Sequence, residues 1–257
     1  METEPLVKLT GVSKSFGGEL VLDGLDLSVF PKETLVVIGK SGSGKSITIR
    51  HIVGLERPEA GRVEVFGKDL ARLRGGEEDQ IRLRIGYLFQ SGALLNWMNI
   101  EENVELPLLE HRHDLKRNER RERVIEKLRQ VGMEDARHKY PAEISGGMKK
   151  RAALARAIIM EPEMILYDEP TAGLDPVIAS TINDLIIETG ERLGTTQVVV
   201  THDMESAFKV GDRIAMLYGG RIIVAGTPEE IKRSDDPVLQ QFIRGSTTGP
   251  ITDRGRT

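Results

Sequence analysis

Gly39-Lys40-Ser41-Gly42-Ser43-Gly44-Lys45-Ser46 is the stretch that decides the fold. It follows directly on Thr34-Leu35-Val36-Val37-Ile38, an apolar, β-branched run of strand length that suits a strand buried on both faces. Helical residues come after it. A strand, a glycine-rich turn and a helix in that order make a phosphate-binding loop. The glycines let the chain curl so that successive N–H groups converge on phosphate oxygens, and the dipole of a helix beginning near Lys45 favours negative charge there. Lys45 then reaches the β- and γ-phosphates of a nucleotide, and Ser46 offers a short hydroxyl of the hard-oxygen kind that Mg²⁺ accepts.

Outward from this loop, strand and helix patterns alternate. Leu6 to Phe30 reads as short strands punctuated by Gly17-Gly18 and Asp23-Gly24, a β-rich edge, and Gly61 to Phe66 alternates with the period of a half-exposed strand. Leu115 to Val131 has the spacing of an amphipathic helix closed by Gly132. Its basic residues Lys116, Arg117, Arg120, Arg121 and Arg123 are interrupted by Glu119, Glu122 and Glu126, which reads as a solvated face rather than a nucleic-acid surface. A further helix is predicted from Gly147 to Met160, and strands at Met164 to Tyr167 and Gln197 to Thr201. Strands alternating with helices predict an α/β fold with a parallel sheet. The tail from Gly245 to Thr257 is expected to be loose unless a partner orders it.

Composition bounds the alternatives. The 257 residues, 39% hydrophobic and 30% charged with 27 Gly and 11 Pro, are ordinary globular usage, enough for one large α/β domain or two modest ones. With 36 Lys+Arg against 40 Asp+Glu the net charge is -4, so no global field recruits nucleic acid or anionic lipid. The absence of cysteine excludes disulfides, thiolate metal sites and cysteine catalysis, and fits a reducing cytosol. The opening METEPLVKLT lacks the order of a signal or transit peptide. The longest uncharged stretch, Ile85 to Ile100, includes Gln90, Asn96 and Asn99 and falls short of the ~20 apolar residues of a spanning helix. His111 and His113 are expected in a charged, exposed loop without metal-ligand companions.

Two further segments carry chemistry. Tyr167-Asp168-Glu169 closes the Met164 run, and a carboxylate at the carboxyl end of a parallel strand faces bound phosphate. Asp168 suits Mg²⁺, directly or through an intervening ligand. Glu169, turned the other way if the strand persists, can polarise a water in line with the γ-phosphate. Alone, such a pair also reads as a helix-capping acid; the phosphate loop gives it weight. Ile144-Ser145-Gly146-Gly147-Met148 opens the second predicted helix and supplies another set of N–H groups suited to phosphate. One nucleotide does not obviously need two anion cradles.

With these motifs in this order, from about Leu6 to Arg233, the chain resembles the ABC-type ATPases, in which the signature helix of one subunit caps the nucleotide held by the phosphate loop of another. The resemblance implies an ABC cassette over 1–233 with a RecA-like parallel-sheet core, an antiparallel β subdomain and a helical signature subdomain at about 91–160. Residues 234–257 form a C-terminal extension. It implies that Phe16 stacks on adenine, although Tyr is more usual there and a core Phe is the other reading. It implies that Gln90 touches Mg²⁺ and water and links the site to a permease, that Asp175 ties two sites together across a dimer, and that His202 contacts the γ-phosphate. Lys45 and His202 then stabilise developing charge, and Glu169 sets the water.

ATP and Mg²⁺ are the implied cofactors, with Ser46, Gln90 and Asp168 toward the metal. Met148 departs from the usual Gln of the signature, which leaves the backbone cradle intact. The implied partners are a second copy and integral membrane permease subunits, with no nucleic acid. Leu94, Trp97 and Met98 read either as core of the helical subdomain or as a groove for a permease helix, with Trp97 favouring the groove. Leu88 to Leu94, Met148 with Arg151 to Ala157, and Gln241-Phe242-Ile243 are similar to the Mla/Mce-type phospholipid transport ATPases. That similarity implies an Mce-domain partner and a place on the cytoplasmic face of a bacterial inner membrane. A solute importer ATPase, for an amino acid for example, is the nearer alternative. A non-transport ABC ATPase of DNA repair or translation fits less well with one cassette, net negative charge and an apolar stretch after Gln90.

Overall fold

The computed structural model describes residues 4–253, which fall into two compact units: residues up to 78 together with those from 198 onward, and residues 79–197. The first unit opens with β1 (Val7–Phe16) and β2 (Glu19–Val29), which pair antiparallel. Val7, Leu9 and Val12 of β1 are buried while Lys8 and Thr10 are exposed, the alternation of a sheet with one covered face. β3 (Thr34–Ile38) follows, then α1 (Lys45–Ile52), β4 (Ala60–Val65) and the short β5 (Lys68–Asp69). The antiparallel sheet runs in the order β2-β1-β4-β5. Leu35 to Ile38 of β3 are all fully buried, as a continuous apolar run requires of a strand covered on both faces.

Helix α2 (Glu77–Arg82) leads into the second unit. There β6 (Ile85–Leu88) lies parallel to β7 (Met164–Asp168), with Ile85 opposite Met164 and Leu88 opposite Tyr167. Between these strands the chain forms α3 (Ile100–His111), α4 (Arg117–Gln130) and α5 (Gly146–Ile158). Their buried faces bring together Val104, Leu108, Val124, Leu128, Leu154 and Ile158. Asn99 and Glu102 close a reciprocal capping box on α3. After β7 comes α6 (Pro176–Leu193), the longest helix among the described residues. Tyr167, fully buried in β7, accepts from Gln197 Nε2 at 3.0 Å, and burial pushes its hydroxyl pKa up.

Strand β8 (Thr196–Thr201) starts in the second unit and carries the chain into the first, where α7 (Met204–Val210), β9 (Arg213–Tyr218) and β10 (Arg221–Gly226) complete a sheet segment ordered β10-β9-β3-β8. β9 is parallel to β3 and antiparallel to β10. Helices α8 (Pro228–Arg233), α9 (Pro237–Arg244) and α10 (Pro250–Asp253) end the described chain.

Two expectations change. The tail from Gly245 is not loose where it is described: Gln241 Nε2 donates to Ser246 O at 3.1 Å and Thr252 Oγ1 at 3.3 Å, and its Oε1 accepts the Ile251 N–H at 2.8 Å. One buried amide folds α10 back toward α9, a role that Gly, Thr and Pro content does not reveal; residues 254–257 lie outside the described residues. The helices α3, α4 and α5 lie within the segment 91–160 and form one unit, 79–197, with β6, β7 and α6. His111 ends α3 rather than lying in a loop, and both it and His113 are exposed. Among the described residues no helix is long and apolar enough to cross a membrane.

Candidate functional site

In the first unit the glycine-rich loop winds around the ammonium of Lys45. Lys45 is 5% exposed, and its Nζ donates to the carbonyl oxygens of Gly39 at 2.8 Å and Lys40 at 3.2 Å. Glycine at 39 is a matter of space: a Cβ there would stand 2.5 Å from Leu217 O of β9 and 2.8 Å from Ser43 Oγ. At Gly44 the left-handed φ of 100° turns the chain into α1, and no side chain caps that helix or places an acid in its first turn. Ser43 Oγ is buried and makes no hydrogen bond in the structure. A buried orphan hydroxyl, a pre-positioned ammonium and an uncapped helix start fit a phosphate chain, which supplies acceptors to all three.

Phe16 ends β1 and is 42% exposed, with Lys14 Nζ 5.2 Å from its ring centroid, so it is a surface ring and not a core Phe. His202 follows β8 and is exposed. Its turn is fixed on both sides, because Thr201 Oγ1 accepts the Asp203 N–H at 3.0 Å and Asp203 accepts the Glu205 N–H at 3.1 Å as cap of α7.

In the second unit β7 ends at Asp168, and Glu169 adopts a left-handed φ of 47°, a conformation that costs a residue with a Cβ about 1–3 kcal/mol. The expectation that Glu169 alternates with Asp168 along a continuing strand therefore fails; the backbone turns at Glu169 itself. Both carboxylates are buried, and Tyr87 Oη donates to Asp168 Oδ2 at 3.3 Å. Gln90, just past β6, is exposed. Lys150 of α5 donates to the carbonyl oxygens of both Gln90 and Glu169, the latter at 3.1 Å. Burial pulls the Lys150 pKa down, opposed by the charges of Asp168 and Glu169. Arg156, on the same helix, donates to Gly92 O and Ala93 O, each at 2.8 Å, and desolvation lowers its pKa too.

Helix α5 begins at the signature. Ser145 Oγ accepts the N–H of Met148 at 3.3 Å, so this hydroxyl caps its own helix and keeps its proton to donate. Ser145 and Gly146 are exposed, whereas Gly147 is buried where a Cβ would meet Ile178 Cγ2 of α6 at 2.5 Å; Met148 is half-buried. Asp175 caps α6, its Oδ1 accepting from Val177 and Ile178 N–H at 3.1 Å each.

A cavity of about 530 Å³ in this unit is lined by Tyr87, Phe89, Ala93, Leu106, Arg156 and Met160, among others. Leu94, Trp97 and Met98 are not among its lining residues. Asn103, buried on α3, accepts the Leu95 N–H at 2.7 Å and donates to Leu95 O and Met98 O at 3.0 Å each, folding this segment onto α3. Trp97 is left 73% exposed.

The family model described as ABC transporter matches residues 22–172, more than half of the chain. The chain belongs to the ABC transporter family. Over 95% of its length this ABC protein is 40% identical to a probable ribonucleotide transport ATP-binding protein, mkl, of Mycobacterium leprae, covering 70% of that protein. It is 37% identical to the intermembrane phospholipid transport system ATP-binding protein MlaF of Haemophilus influenzae, covering 96% of this chain and 93% of that one. Among solved structures, the dimeric ATP-binding cassette MJ0796 in a post-hydrolysis state, bound to ADP and Pi, superposes with a TM-score of 0.79 at 35% identity, covering 86% of this chain and 98% of that one. The ABC cassette fold and the ATP-binding role follow. Sequence reasoning missed Lys150, Arg156, Tyr87 and Asn103; among the basic residues of α5 nothing local sets Lys150 and Arg156 apart.

Proposed function

We propose that the chain is the ATP-hydrolysing subunit of an ABC transporter that moves phospholipid between the inner and outer membranes of a bacterial envelope. The observation that carries this reading is the similarity to MlaF, 37% identical over 96% of this chain and 93% of that one. In this reading two copies bind two ATP molecules, each between the loop of residues 39–46 in one copy and Ser145 to Gly147 of the other. Phe16 stacks on adenine, and Lys45 holds the β- and γ-phosphates. Glu169 orients the attacking water and accepts its proton, and His202 donates to the γ-phosphate. Asp175 ties the two copies together. Ser46, Gln90 and Asp168 are oxygen donors of the hard type that Mg²⁺ takes, and the ion, when bound, offsets charge on the phosphates.

Membrane attachment runs through a permease rather than through this chain. The cavity beside Phe89 and Ala93, whose lining mixes Leu106, Pro107 and Met160 with Arg82, Glu110 and Arg156, is the surface offered to a short permease helix on the cytoplasmic face. Trp97, 73% exposed, is a further aromatic that such a contact could bury. Similarity to mkl, a ribonucleotide transporter by its name, favours a second reading in which the cargo is a small solute. Affinity capture of the tagged chain from detergent-solubilised membranes separates the two. A multispanning permease together with an Mce-domain protein is the result expected for lipid; a permease with a soluble solute receptor supports the second reading and removes the first.

A further inference from the structure

Helix α5 joins the signature to two other functional segments through a buried cation, Lys150. Lys150, 6% exposed, donates from a single Nζ to the carbonyl oxygens of Gln90 and Glu169, segments 60 and 19 residues away in the chain. Because one nitrogen holds both oxygens, neither backbone can shift without breaking or dragging the other bond. The bond to Glu169 falls on the residue whose left-handed backbone needs an external hold, and the carbonyl of Glu169 also accepts the Ala172 N–H at 3.2 Å. Six residues along α5, Arg156 binds Gly92 O and Ala93 O, and Ala93 too is left-handed, with φ 47°. The segment 90–93 thus hangs from α5 by three carbonyls. A buried ammonium is expensive, and a side chain that only filled space here would be apolar.

We propose that Lys150 is a positioning residue for ATP hydrolysis, fixing the main chain of Glu169 and of Gln90 to the helix that opens at Ser145, so that movement of the 90–93 segment is passed to Glu169. The proposal rests on Glu169 setting the attacking water. Lys150 acts through the Glu169 backbone, so its removal acts on turnover rather than on ATP affinity.

The test uses the full chain in its permease complex, with Lys150→Met, which keeps the aliphatic bulk without a donor, and Lys150→Gln, which keeps an N–H donor. ATP turnover is measured against ATP concentration, and nucleotide affinity with a fluorescent ATP analogue. Lys150→Met is expected to lower kcat by about 10- to 100-fold, the scale on which small misplacement of a catalytic group acts, with KM and analogue affinity within about twofold of wild type. Lys150→Gln is expected to recover part of the loss. If Lys150→Met does not assemble, Lys150→Gln alone decides, with reduced kcat at unchanged KM in support. Wild-type kcat in either decisive variant, or affinity lost in step with kcat, overturns the proposal. Glu169→Gln run alongside separates the two readings: near-normal turnover there removes the role of Glu169 itself, whereas an impaired Glu169→Gln beside a normal Lys150→Met removes only the role of Lys150.

Discussion

Tyr87 Oη donates to Asp168 Oδ2 at 3.3 Å, and the same tyrosine lines the cavity of the second unit with its ring 4.2 Å from that of Phe89. One side chain therefore touches both the cavity proposed to receive a permease helix and the carboxylate proposed for Mg²⁺. Tyr87→Phe removes the hydroxyl and keeps the ring. Loss of a hydrogen bond that orients a metal-ligating group costs ~10–100-fold in metal affinity, so the Mg²⁺ concentration for half-maximal ATPase rises on that scale while turnover at saturating Mg²⁺ is largely kept. An unchanged Mg²⁺ dependence shows that the bond has no part in metal binding.

Glu169→Gln keeps shape and hydrogen bonding but loses the proton acceptor. Turnover falls by ~10²–10⁴, the range for a lost general base, with ATP affinity preserved. Single-turnover hydrolysis beside equilibrium nucleotide binding makes the distinction; near-normal hydrolysis removes the assignment.

Gly147→Ala forces a methyl group to 2.5 Å from Ile178 Cγ2. Overpacking of this kind costs about 1–3 kcal/mol, which urea unfolding reads directly. Because the strain falls on the start of α5, ATPase falls as well. Adding Ile178→Ala opens the space and restores part of both; if the double variant is no better than the single one, the clash is not the cause.

His51 is fully buried on α1 with its Nδ1 2.8 Å from Ile47 O, and burial holds its pKa below the ordinary 6.5. The unfolded chain then binds a proton more readily than the folded one, so stability is full above the unfolded value and declines as pH falls below about 6.5 toward the lowered folded value. Thermal unfolding of the wild type followed from pH 7.5 to 5.5 shows this decline. In His51→Gln, which does not titrate, Tm is lower at neutral pH but the decline over that window is smaller. Parallel slopes in the two proteins contradict the assignment.

Local signals made most of the framework readable. The Thr34 to Ile38 run, the loop at 39–46, and the strands ending at Asp168 and Thr201 each announce themselves within a few residues, because periodicity and glycine placement are local properties. The connections between them were hidden. Lys150 and Arg156 sit on a helix rich in Ala and basic residues, where a cation reads as solvent-facing; only the folded chain brings the carbonyls of 90, 92, 93 and 169 to them. The apolar character of the 94–98 segment is legible, but not that Asn103, a single polar residue on α3, ties its backbone down. The backbone reversal at Glu169 is likewise set by what surrounds it, not by Asp-Glu-Pro read in isolation.

The most direct measurement is ATP-dependent phospholipid transfer by the chain in its permease complex, reconstituted into liposomes holding a fluorescent phospholipid, with Glu169→Gln as control. The account predicts transfer that requires ATP and is lost in Glu169→Gln although that variant still binds nucleotide. ATP hydrolysis by the wild-type complex that moves no phospholipid, under conditions where it accumulates a small solute, would contradict it.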